Sequence, residues 1–150
     1  MSEDYFGYHP DPDAPGWLLR PKSSHNRFLD VYGAIRARME SPTLTRLQLT
    51  PGPEHRNLME SVHGGFTMAI VDHALFVGPA VQGRERTARA STIDISTQFL
   101  APLYPGKMID VLIETLRETN RMVFLRGTIE EEGVVAVAFS GTIRKTSGGS

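Results

Sequence analysis

Asp72 is the one carboxylate in an apolar run of fifteen residues, HGGFTMAIVDHALFV, from His63 to Val77. A carboxylate drawn out of water has its pKa raised and suits a dry site as base or nucleophile. It can equally serve as a buried acceptor for a neighbouring loop or a polar subunit contact. His63-Gly64-Gly65 opens the same run. If the run is a helix, its first turn offers unspent backbone N–H groups and the positive end of the dipole, a site for a developing oxyanion. Two glycines let a carbonyl approach the backbone closely, or simply let the helix start pack closely. Asp72 lies eight residues beyond Gly64, which at 1.5 Å per residue is about 12 Å along the axis. One chain therefore cannot bring both to one carbonyl, and cooperation between them requires a two-fold partner whose helix runs antiparallel alongside. His63, Asp72 and His73 do not make a metal site, because 63 and 72 fall on roughly opposite helix faces and 72 and 73 point about 100° apart. His9, followed by PDPDAPG, does not lead into the run but stands some fifty residues before it, and is set aside.

The elements that must position these groups follow from the periodicity. Residues 63–77 are too long for a buried strand and are followed by Gly78-Pro79, so the pattern predicts a helix buried nearly all round and closed there. Its face through Gly65, Met68, Ala69, Asp72, Leu75, Phe76 and Pro79 is apolar apart from the carboxylate. From Arg89 the period is two: Ile93, Ile95, Thr97 and Phe99, then Ile109, Val111 and Ile113, then Val123, Leu125 and Ile129, then Val135, Val137 and Phe139. Breaks at Pro102 to Gly106, near Asn120 and at Gly133 predict four antiparallel strands in a meander. Residues 33–50 fit a helix or a strand at their start. The alternation of Ile35, Ala37 and Met39 with Arg36 and Arg38, then the turn-like ESPT, favours a hairpin. The class is α+β, a long antiparallel sheet wrapped around one central apolar helix.

The chain has 150 residues, 40% of them hydrophobic, with 14 glycines, which suits one compact core. Residues 1–24 carry Pro10, Pro12, Pro15 and Pro21 and predict an extended or loosely packed arm, with Trp17, Leu18 and Leu19 able to dock; 25–145 form the domain and 146–150 a frayed tail. A net charge of -1 selects neither nucleic acid nor an acidic membrane. With no cysteine there is no disulfide, thiolate metal site or thiol nucleophile, and without a signal peptide the cytoplasm is the expected address. Serine hydrolase, P-loop and Rossmann motifs are missing.

Asn57-Leu-Met-Glu-Ser-Val-His63-Gly64-Gly65, Asp72 fifteen residues after Asn57, and a T-x-D-I-x-x-x-F-L-x-P strand from Thr92 to Pro102 followed by Gly106 resemble the hotdog-fold acyl-CoA thioesterases of the phenylacetate-pathway (PaaI) type, related to the 4-hydroxybenzoyl-CoA thioesterases. The resemblance covers residues 30 to 145. It implies Asp72 as nucleophile or general base, Gly64 as the backbone donor to the thioester carbonyl, and Asn57 as a group orienting carbonyl or water. His63 shapes the helix start, Gly65 adjoins the substrate, and Thr92, with Ser91 beside it, stands near a hydroxyl position that assists the water. A thioester needs a donor and an attacking oxygen but little leaving-group help, because a thiolate departs readily. Coenzyme A, part of the substrate and not a cofactor, needs cations for its phosphates; Arg84, Arg86, Arg89, Arg121, Arg144 and Lys145 are the candidates. The implied assembly is a homodimer or dimer of dimers with sites at the dimer interface, acting on an acyl-CoA such as an aryl or medium-chain ester. A non-catalytic acyl-CoA binding module on the same fold is the alternative, and a hydratase is disfavoured because its residues would stand elsewhere.

Overall fold

The computed structural model describes residues 6–23 and 26–147. In it the chain runs β1 (His9–Pro10), β2 (Leu18–Arg20), β3 (Ile35–Ser41), β4 (Leu44–Leu49), α1 (Gly64–Val81), β5 (Ser91–Phe99), β6 (Ile109–Glu118), β7 (Met122–Glu131) and β8 (Val134–Arg144). The strands form one antiparallel sheet in the order β1-β2-β3-β4-β6-β7-β8-β5. It curves around α1, so Ile113, Leu125, Ile129 and Ile143 of the sheet share a core with Ile70, Val71, Leu75 and Val77 of the helix. Close approach is built in: a Cβ on Gly141 would come 2.6 Å from a Leu75 methyl, and one on Gly78 would overlap Ile113. Eleven residues of α1 are buried, so although its 18 residues have a mean hydropathy of 1.3, it is a core helix.

The β3–β4 hairpin forms as the alternation predicts, and β6, β7 and β8 are sequential neighbours. The β7–β8 turn places Glu132 and Gly133 at φ 51° and 78°, the left-handed pair that a two-residue hairpin demands. The meander is shorter than the periodicity predicts, however. β5 pairs with β8 and not with β6. The link through Pro102 and Pro105 is far longer than the roughly 2–5 residues of a hairpin loop, and it carries the chain across the sheet from one edge into its middle. Alternation identifies strands but not their neighbours.

Three further expectations are corrected. α1 does not stop at Gly78-Pro79 but continues to Val81; the Thr45 hydroxyl donates to the Gly78 carbonyl at 2.9 Å and the Gln82 N–H at 3.2 Å, so the turn holding Pro79 stays anchored. Nor is α1 buried all round, since the stripe of Met68, Ala69, Asp72 and Phe76 is only partly covered. The described part of the N-terminal segment is not a loose arm: β2 pairs with β3, and β1 with β2. Tyr8 is buried with its hydroxyl 3.0 Å from His73 Nε2, Asp11 meets Arg36 at 2.6 Å, and the Arg38 guanidinium lies 4.4 Å over Trp17. Prolines mark the turns of this segment, whereas aromatic and ionic anchors fix it. Thr146 and Ser147 follow β8, and 148–150, with 1–5 and 24–25, lie outside the described residues.

Candidate active site

The start of α1 is held by its own cap. His63 stands in extended backbone, φ -61° and ψ 132°, and its Nδ1 accepts the Gly65 N–H at 2.8 Å. That acceptor role fixes the neutral tautomer with the proton on Nε2. The Gly65 N–H is thus spent on the cap and is not the donor left for a carbonyl. A Cβ on Gly65 would lie 3.0 Å from the same ring nitrogen, so this glycine belongs to the cap. Gly64 differs. Its N–H has no acceptor among the described residues, and a Cβ there would meet only the Phe99 ring, at an ordinary 3.7 Å. Packing in this chain does not require glycine at 64, and the N–H stands at the positive end of an 18-residue helix.

Beside Gly64 opens a cavity of about 380 Å³ whose walls include Asn57, Thr67, Phe99, Leu103 and Val137. No charged side chain among the described residues lines it. The loop leading to it is pinned on both sides, Val62 N–H donating to Leu103 O at 2.8 Å and His63 N–H to His55 O at 2.7 Å. Asn57 braces the same loop. Its Oδ1 accepts from the N–H groups of Met59 (2.8 Å) and Ser61 (3.1 Å), and its Nδ2 donates to Ser61 Oγ at 2.9 Å. The amide oxygen is therefore occupied, and one Nδ2 proton remains for anything in the cavity.

Asp72 lies elsewhere. It is partly buried on the uncovered stripe of α1, and the Thr92 hydroxyl donates to its Oδ1 at 2.6 Å. This contact depends on a defect in β5. Thr92 pairs with Ile143 but Asp94 with Thr142, which makes Ile93 a bulge. Thr92 and Ile95, three apart, thereby both face the helix. Ile93 itself, expected inside by alternation, is 53% exposed. Behind Asp72, the Tyr32 hydroxyl donates to Ala69 O at 2.7 Å, and its pKa is pushed up by burial and then by the negative charge of Asp72. His73, one residue on, points into the core among Phe6, Tyr8 and Tyr32, where burial lowers its pKa to about 3. Asp72 and Thr92 are brought together, Asn57 and Gly64 are brought together, and the two pairs do not share a cavity in one chain.

The nominated cations divide. Arg84 is spent on Glu118 at 2.6 Å, Lys145 is buried against the same carboxylate, and Arg86 holds Asn120 and Thr146. Arg89 is exposed before β5. Arg121 and Arg144 are exposed at one end of the sheet, where Arg144 pairs with Ser91, one residue from Thr92. Among the described residues no three ligating side chains gather as for a metal. The periodic reading missed Phe99 as a wall over Gly64, since its alternation marked it only as core. It also missed Tyr8, whose signal was an aromatic two residues from Phe6.

The model of the acyl-CoA thioesterase N-terminal domain matches residues 53–144. Among solved structures, the TT0310 protein of Thermus thermophilus is 20% identical with a TM-score of 0.67, over 82% of this chain and all of that one. A mutant of the phenylacetic acid degradation protein PaaI from the same organism is 20% identical with a TM-score of 0.66, over 79% and 98%. A hypothetical thioesterase of Streptococcus pneumoniae with coenzyme A is 12% identical with a TM-score of 0.67, over 75% and 86%. At these identities the likeness is of fold, the hotdog fold. No curated protein sequence matches.

Proposed function

The chain belongs to the acyl-CoA thioesterase family, and from that premise we propose that it hydrolyses an acyl-CoA to the free acid and coenzyme A, with each active site built from two protomers. The observation that carries this reading is the unspent Gly64 N–H beside an uncharged cavity. It offers a donor to a carbonyl oxygen whose charge grows as the carbon becomes tetrahedral. The attacking group is Asp72. Thr92 holds its Oδ1, leaving Oδ2 to attack the carbonyl carbon or to take a proton from water as that water attacks. The C–S bond then breaks, the electron pair leaves with the thiolate, and water supplies the acid's second oxygen.

Asp72 and Gly64 serve one carbonyl only if Asp72 comes from the neighbouring protomer, given about 12 Å of helix between them. The surface supports that arrangement: the half-covered stripe of α1 lies beside the open edge of β5, where Phe99 and Leu100 are exposed. A second copy related by a two-fold axis covers both and sets the helices antiparallel. Arg121 and Arg144, near the Asp72 end, are the cations that remain for the coenzyme A phosphates.

A panel of acyl-CoA thioesters with uncharged acyl groups, monitored for released thiol, tests the activity. Turnover of at least one aryl or medium-chain ester is expected. If the esters instead raise Tm without releasing thiol over long incubation, the chain is a binding module and the hydrolytic reading is wrong.

A further inference from the structure

Resting on the hydrolytic reading above, the position of Phe99 adds a rule about which acyl groups enter. A carbonyl oxygen bound to the Gly64 N–H sits about 2.7–3.1 Å from the nitrogen. The Phe99 Cε1 and Cζ lie 3.7 Å from where a Gly64 Cβ would be. Gly64 and Phe99 wall the same cavity, so for a carbonyl held at the Gly64 N–H from the cavity side the first acyl carbon passes along the ring. The ring's mount is fixed: Phe99 pairs with Val137 on β8, and the N–H groups of Leu100 and Ala101 both donate to Ala136 O, at 2.8 and 3.1 Å.

We propose that Phe99 is the specificity determinant at the acyl α-carbon, admitting unbranched or flat aryl groups and excluding α-branched ones. An aromatic face offers area to a methylene chain or an aryl ring, while a methyl on the α-carbon has to occupy the space the ring fills. The cavity beyond it is lined by no charged side chain among the described residues, its polar groups being Asn57, Ser61 and Thr67, so it sets no charge requirement at that carbon. Phe99 is 56% exposed in the protomer and lies outside its core; because the second copy covers this edge, each variant is compared with the wild type only as the dimer, confirmed by mass.

The test compares kcat/KM for a linear acyl-CoA and its 2-methyl counterpart in the wild type, Phe99→Ala and Phe99→Leu. One methyl group rejected on steric grounds is worth about 10–200-fold. The wild type is expected to prefer the linear ester by at least about tenfold, Phe99→Ala to reduce that preference to roughly threefold or less, and Phe99→Leu to fall between. A preference that survives in Phe99→Ala, or a wild type that treats both esters alike, overturns the assignment of Phe99. Absence of thiol release from either ester with the wild type, while the panel finds no other substrate, overturns the thioesterase reading itself.

Discussion

Asp72→Ala is expected to lower kcat/KM for any acyl-CoA substrate by on the order of 10²–10⁴, the usual contribution of a positioned base or nucleophile, while Tm moves by only a few degrees. The carboxylate is partly buried in the protomer, and in the shared site its partner Thr92 stands where the reacting water must enter, so water can take the hydroxyl's hydrogen bond. Asp72→Asn should be nearly as inactive, because an amide keeps the shape but neither takes a proton nor attacks a carbonyl. Steady-state thiol release and a melting curve on the same samples check both halves. Near wild-type turnover in either variant removes Asp72 from the chemistry.

Gly64→Pro should lower kcat by about 10²–10³, the cost of one oxyanion donor, with little change in stability. Proline removes the N–H and nothing else that the fold uses. Position 64 is the first residue of α1, where proline is favoured. The preceding His63 already has ψ 132°, the extended conformation that a following proline requires. Gly64→Ala is the matched comparison: it keeps the N–H and adds a methyl at 3.7 Å from Phe99. Rates for an unbranched ester decide the point. If alanine and proline impair kcat equally, the effect is one of space and the N–H is not the donor.

How much of this was legible before the fold was known depends on the range of each interaction. α1, the hairpin and the strands are written in local periodicity, and the Asp72 to Gly64 separation follows from helical rise alone. The order of strands is not local. β5 was readable as a strand, but its move to the edge beside β8 depends on how a proline-containing link crosses the sheet. The bulge at Ile93 is invisible to alternation, which put Ile93 inside and gave no reason for Thr92 to face Asp72. The same holds for the N-terminal segment, where proline content obscured Tyr8, a residue whose burial against His73 links positions 65 apart. At the helix start, residue types pointed to an anion site, but only hydrogen-bond geometry separates Gly65, spent on the cap, from Gly64, which is free.

Mixed dimers decide whether each site is shared between protomers. Asp72→Ala and Gly64→Pro chains, differently tagged, are co-refolded at equal concentration and the mixed species quantified by mass. Under two-fold symmetry each mixed dimer holds one intact site and one doubly damaged site. Random pairing makes about half of the dimers mixed, so about a quarter of wild-type activity should return from two nearly inactive proteins. If mixed dimers form and activity stays at the level of the separate variants, Asp72 and Gly64 do not meet across a two-fold axis and the shared site is contradicted.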